Sequence, residues 1–174
     1  MQKQQRRDEF KILARTFFEK ASSKDLEILH QKIIQLIERY TEKFFSSGET
    51  LPKILGIYKP LRYELPVKEM IARVPQLNEV PLAYPEYNPQ EMWFVKEDNG
   101  THCAPDFFIV PGLFVDRNGY RLGRGKGYYD RYFAAHPTPL PRRVFLGYPF
   151  QFIDAVPHDV HDVTVVPLSP VNSL

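Results

Sequence analysis

Apolar residues recur at helical spacing from Gln5 to Lys20, and the pattern resumes after Ser22, which stands three residues before Asp25 as in a capping box. The second helix is predicted to bury a stripe of Leu26, Leu29, Ile33, Ile37, Tyr40 and Phe44 and to end at Gly48. Beyond it the period shortens. Lys53 to Tyr58, Val80 to Tyr84, Met92 to Val95, Asp106 to Val110, Val144 to Tyr148 and Val163 to Val166 are short runs of strand length. Helices are predicted from Pro66 to about Val74 and from about Gly127 to Ala135, the latter stopped by the proline-rich stretch Pro137 to Pro141. Asp98-Asn99-Gly100 reads as a turn, and Asp106 to Val110 as a strand buried on both faces of a parallel sheet. This alternation predicts an α/β fold: a mostly parallel sheet, helices on both faces, and ligands at the carboxyl ends of the strands.

Composition narrows the class. With 43% hydrophobic and 25% charged residues, the 174-residue chain suits one globular domain, residues 1–174. A net charge of only +2 implies no general polyanion-binding surface, so basic residues matter by location. The most apolar run, Phe107 to Val115, is broken by Pro111 and Gly112 and is too short to span a membrane. The charged N-terminus leads into an amphipathic helix instead of the apolar core of a signal peptide. Cys103 is the single cysteine, which excludes an intramolecular disulfide, and the scattered histidines suggest no zinc cluster. A monomer in a reducing cytoplasm is the expectation.

The chemistry concentrates between Gly119 and Phe133, where Gly123, Gly125 and Gly127 are interleaved with Arg124 and Lys126 and open onto an aromatic helix. Glycine lets backbone N–H groups converge on one point. Consecutive N–H groups and a helix N-terminus supply partial positive charge, to which Arg121, Arg124 and Lys126 add full charges. The spacing matches neither the common phosphate loop nor the dinucleotide fingerprint. From the residues alone, phosphate or nucleotide binding leads, with a basic nucleic-acid contact and a structural turn as the other readings.

The run Val110-Pro-Gly-Leu113, then Asp116, then Gly119 through Asp130, resembles the signature of the 5-formyltetrahydrofolate cyclo-ligase family. The resemblance extends to Leu146 through Gln151, to Val156-Pro157 before Asp162, and to Tyr58 through Glu64. It implies a Rossmann-like three-layer sandwich and an enzyme that uses ATP and Mg²⁺ to convert 5-formyltetrahydrofolate into 5,10-methenyltetrahydrofolate. It also implies small-molecule substrates, with neither nucleic acid nor membrane as partner. By the same resemblance Arg121, Leu122, Gly123, Arg124, Gly125, Lys126, Gly127, Tyr128 and Tyr129 would enclose the ATP phosphates, with Arg124 and Lys126 beside the transferring group. Arg7 and Lys11 would touch ATP, with a solvated helix face as the alternative. Glu64, Arg124 and Tyr128 would meet the folate, and Asp130 would bind the metal, with helix capping as its alternative. One of Tyr128 and Tyr129 is expected over the ligand and the other in the core.

The chain also departs from the family pattern. The segment Lys96 to Pro105 is shorter than expected, which removes a wall of the pocket, and Trp93, lying within a strand, is not expected to replace it. Val166 stands where a second acidic residue is expected. These departures keep open a non-catalytic or repurposed folate- or nucleotide-binding relative. His158 and His161 read as structural, Cys103 as an unactivated thiol, and Arg142 and Arg143 as candidates for the cleft rim.

Overall fold

The computed structural model describes residues 2–170. Helices α1 (Gln2–Lys20) and α2 (Ser23–Ser46) come first. They are followed by β1 (Leu55–Gly56), α3 (Val67–Ile71), β2 (Leu82–Tyr87), β3 (Met92–Lys96), β4 (His102–Cys103) and β5 (Phe107–Ile109). Then come β6 (Phe114–Val115), β7 (Arg121–Leu122), α4 (Tyr128–Ala135), β8 (Arg143–Leu146) and β9 (Val166–Leu168). Ser22 and Asp25 form the reciprocal capping box that starts α2, each satisfying a backbone N–H of the other.

Seven strands form one sheet in the order β4-β3-β2-β1-β5-β8-β9. Pairing is parallel from β2 through β9 and antiparallel between β2, β3 and β4 at one edge. Alternation along the strands fills both faces. Leu55, Phe107, Ile109, Val144 and Leu146 pack with Ile33 and Ile37 of α2 and Val67 and Met70 of α3. Ala83, Phe108, Val110 and Phe145 pack with Tyr132 and Phe133 of α4. The result is the expected three-layer α/β arrangement. Among the described residues, no helix is long and apolar enough to cross a membrane.

Besides the unpredicted edge strand β4, two elements differ from the sequence expectation. Between β5 and the glycine loop lies an antiparallel ribbon, β6 on β7, against which Phe10 and Ala14 of α1 pack. Its strands are two residues long, too short to show a period of two. The ribbon turns at Gly119, whose φ is 85° and where an added Cβ would lie 2.1 Å from the Val165 carbonyl oxygen. The last strand begins at Val166 and not at Val163, because the segment before it serves other partners: the Val163 N–H donates to Asp130 and the Val165 N–H to the Gly119 carbonyl.

Candidate active site

A cleft of about 870 Å³ opens where β1, β2 and β5 end. Tyr58 and Lys59 follow β1, Pro85 to Tyr87 finish β2, and Pro111 and Gly112 follow β5; all line it. Residues 121–130 line it as well, joined by Lys3 and Arg7 of α1 and by Glu64 and Asp162.

The glycine loop is open to an acceptor. Among the described residues, no backbone N–H of residues 123–127 donates a hydrogen bond. The groups therefore remain available to a ligand just ahead of the N-terminus of α4. Gly125, at φ 96°, lies so close to Arg7 that an added Cβ would meet its guanidinium at 3.0 Å. Arg7 Nε donates to the Gly123 carbonyl at 3.2 Å, so α1 braces the loop. Lys126 is exposed and makes no ion pair with a described residue.

Arg121 and Leu122 lie deeper than the rest of the run. Leu122 is buried against Phe114, and the Arg121 side chain, 5% exposed, donates to Asp130 Oδ1 at 3.1 Å. That same oxygen accepts from the Val163 N–H at 3.1 Å. Asp130 thus stands at the cleft held by two donors, one of them a buried cation, and its side chain does not cap α4. Asp162 is bonded by Lys3 at 2.7 Å. Burial alone would push its carboxyl up, but the Lys3 and Asp159 hydrogen bonds and the Lys3 charge bring it below the usual range. Among the described residues no three His, Cys, Asp or Glu cluster as a metal cage.

Glu64 is not a solvated loop charge. Its side chain is 6% exposed, Oε1 accepts from Arg124 Nη2 at 2.7 Å, and Oε2 accepts from the Leu61 N–H at 2.8 Å. The turn that aims it is strained, since the preceding Tyr63 has a φ of 71°, a region unfavourable to a bulky residue. Stacking of Tyr63 on Phe18 of α1, with centroids 5.2 Å apart, holds that conformation. Nearby, burial pushes the phenols of Tyr58 and Tyr129 well above the tyrosine range, so both stay protonated.

These features coincide with a family match. A model of the 5-formyltetrahydrofolate cyclo-ligase family matches residues 52–168. The chain belongs to that family. It is therefore a ligase. A 5-formyltetrahydrofolate cyclo-ligase of Mycoplasma pneumoniae is 30% identical over 113 residues, covering 62% of this chain and 68% of the relative. A 5,10-methenyltetrahydrofolate synthetase structure from Aquifex aeolicus superposes with a TM-score of 0.71 at 26% identity, covering 99% of this chain and 91% of the other. A synthetase structure from Mycoplasma pneumoniae shares the fold, with a TM-score of 0.72 at 24% identity, covering 98% of this chain and 99% of the other.

Within this cyclo-ligase chain, the cleft wall differs from the expectation. Trp93 does line it, with Tyr87 and Met92. Because β3 runs antiparallel to β2, Met92 and Trp93 pair with Tyr87 and Glu86 and stand level with the carboxyl ends of the parallel strands. A residue inside a strand can therefore face the cleft. Tyr128 stacks on Tyr87 at 5.1 Å, whereas Tyr129 turns toward Phe133 with its hydroxyl buried.

Lys11 does not reach the site. Positions 3, 7, 10 and 14 form the inward face of α1, and Lys11 is rotated about 100° from Phe10, where it pairs with Asp8 and is 74% exposed. Arg142 and Arg143 are likewise absent from the cleft. Arg142 bonds Glu49 and lies by Asp106, which precedes β5 and marks the opposite end of the sheet. Arg143 sits over Phe133. His158 stacks on Tyr120 at 3.6 Å, Val166 pairs with Val144 in the sheet, and burial pushes the Cys103 thiol up. Lys3 and Tyr87 enter the cleft without a local sequence signal, apart from the helical spacing of Lys3 and Arg7, whereas Lys59 and Asp162 lie in stretches that carry the family resemblance.

Proposed function

We infer that this chain converts 5-formyltetrahydrofolate and ATP into 5,10-methenyltetrahydrofolate, ADP and phosphate, as a single domain. The observation that carries this reading is the glycine loop whose backbone N–H groups and Lys126 ammonium have no partner among the described residues, set in one cleft with the buried carboxylate of Glu64.

The formyl oxygen is a poor leaving group, so it first attacks the γ-phosphorus and ADP departs. Nitrogen 10 then attacks the activated formyl carbon, its proton is lost, and the former formyl oxygen leaves as part of phosphate. The chain's part is positioning and electrostatics. N–H groups of residues 123–127, Arg124 and Lys126 stabilise the charge that spreads over the equatorial oxygens in phosphoryl transfer. Arg7 braces the loop on the nucleotide side. Glu64 offers its carboxylate to paired donors of the pterin, and Tyr128 with Tyr87 offers a stacking face. The protonated Tyr58 and Tyr129 serve as donors or packing, not as bases.

Asp130 fits a divalent cation in the way Mg²⁺ is usually held, as one carboxylate supplementing phosphate oxygens and water. When bound, Mg²⁺ neutralises charge on the β- and γ-phosphates. Arg121 keeps the Asp130 carboxylate aimed at that position.

The test is the absorbance of 5,10-methenyltetrahydrofolate formed from 5-formyltetrahydrofolate, ATP and Mg²⁺ by wild type and by Lys126→Ala. Product from wild type, with turnover at least about 100-fold lower in the variant, is the expected result for loss of one preorganised cation. No product from wild type rejects the activity, and undiminished turnover by a folded Lys126→Ala rejects that residue's role.

A further inference from the structure

One ion pair spans the cleft from the glycine loop to the Leu61–Glu64 turn. Arg124 Nη2 donates to Glu64 Oε1 at 2.7 Å between residues 60 apart in sequence. Its ends are unlike, with the Glu64 side chain 6% exposed and that of Arg124 49% exposed. Arg124 holds one Glu64 oxygen and the Leu61 N–H the other, so paired ligand donors must compete with Arg124 for the carboxylate. Arg124 in turn cannot swing fully onto a phosphate while it keeps that bond. Gly123 and Gly125 flank it and their N–H groups are unbonded, so the arginine can move without breaking a hydrogen bond that they donate.

We propose that the Arg124–Glu64 pair is a latch coupling the two substrate subsites. A nucleotide phosphate draws Arg124 away, folate donors take Glu64, and each ligand removes the contact that the other must otherwise break. This rests on the cyclo-ligase reading of the cleft. Its sign is informative. Two anionic ligands side by side repel, so charge alone makes each weaken the other. Release of the latch reverses this, because the first ligand removes a closed state that reduces the second ligand's apparent affinity.

Calorimetric titration of a non-hydrolysable ATP analogue with Mg²⁺, in the absence and presence of saturating 5-formyltetrahydrofolate, reads the coupling. Wild type is expected to bind the analogue about five-fold more tightly when folate is present. Glu64→Gln should bind it about five-fold more tightly than wild type without folate, and folate should then add nothing. Arg124→Gln breaks the pair from its exposed end, which keeps the fold intact, and should also abolish coupling. Glu86→Gln removes a cleft carboxylate that shares no bond with Arg124 and should retain wild-type coupling, separating the latch from a simple loss of negative charge. Coupling lost equally in Glu86→Gln, or independent or mutually weakened binding by wild type, overturns the latch while the cyclo-ligase reading stands. Failure of either ligand to bind wild type overturns that reading and the latch with it.

Discussion

Asp116 lies inside the glycine-rich signature, yet it is 3% exposed and lines no part of the cleft. One of its oxygens accepts from the N–H groups of Asn118 and Tyr120, and the other from that of Val156. It ties the turn of the ribbon to a segment 40 residues away. Asp116→Asn presents an amide to at least one of those donors, and at about 3 kcal/mol for charge-assisted bonds lost in a buried site, it should lower Tm by roughly 6–12 °C. Turnover of the protein that remains folded should be nearly unchanged. Lys126→Ala should show the reverse, an unchanged melt and lost turnover, so a thermal melt beside the absorbance assay separates the two roles. Both residues belong to one legible motif. What the motif cannot disclose is which of its charges faces a ligand, since that depends on partners such as Val156 and Asp130.

At the scale of elements, local rules carried far where all the contacts are within one turn. The Ser22–Asp25 box starts α2, and Gly48, with a φ of 99°, follows its end. Ser22→Ala should therefore cost about 1 kcal/mol and lower Tm by roughly 2–4 °C, read by calorimetry. The glycine loop was legible for the same reason, since glycine spacing and the start of a helix are properties of adjacent residues. The β6–β7 ribbon was not, because two-residue strands have no period and are held by Phe10 and Ala14 of a distant helix. Val163 to Val165 looked like strand by composition, but their backbone serves Asp130 and Gly119. Trp93 lines the cleft against the sequence expectation for a similar reason: a strand's direction in the sheet, not its local pattern, decides whether its side chains reach the cleft.

Across the whole molecule, the helical layer is joined to the sheet partly through His30 of α2, whose Nε2 lies 3.1 Å from the Tyr148 hydroxyl just beyond β8. Burial lowers the imidazole pKa from its usual 6.5; Glu27 opposes that shift and Arg73 adds to it. The unfolded chain thus takes up the proton near pH 6.5 while the folded chain resists it. The stability associated with neutral His30 is present above that pH and declines as pH falls toward and through the lower folded value. Urea midpoints measured from pH 7.5 down to about pH 5 should fall, and His30→Gln should flatten part of that slope. The order of the helices and of the strands other than β4, β6 and β7, the capping box and the anion-binding character of residues 123–127 were determined by the sequence itself, because their causes lie within a few residues. Only the tertiary structure decided that Lys3, Tyr87 and Trp93 share a cleft with that loop, that Lys11 faces away, and that Arg124 meets Glu64. A parallel sheet gathers at one edge the ends of strands far apart in the chain, and side chains without a local partner take their places from packing alone.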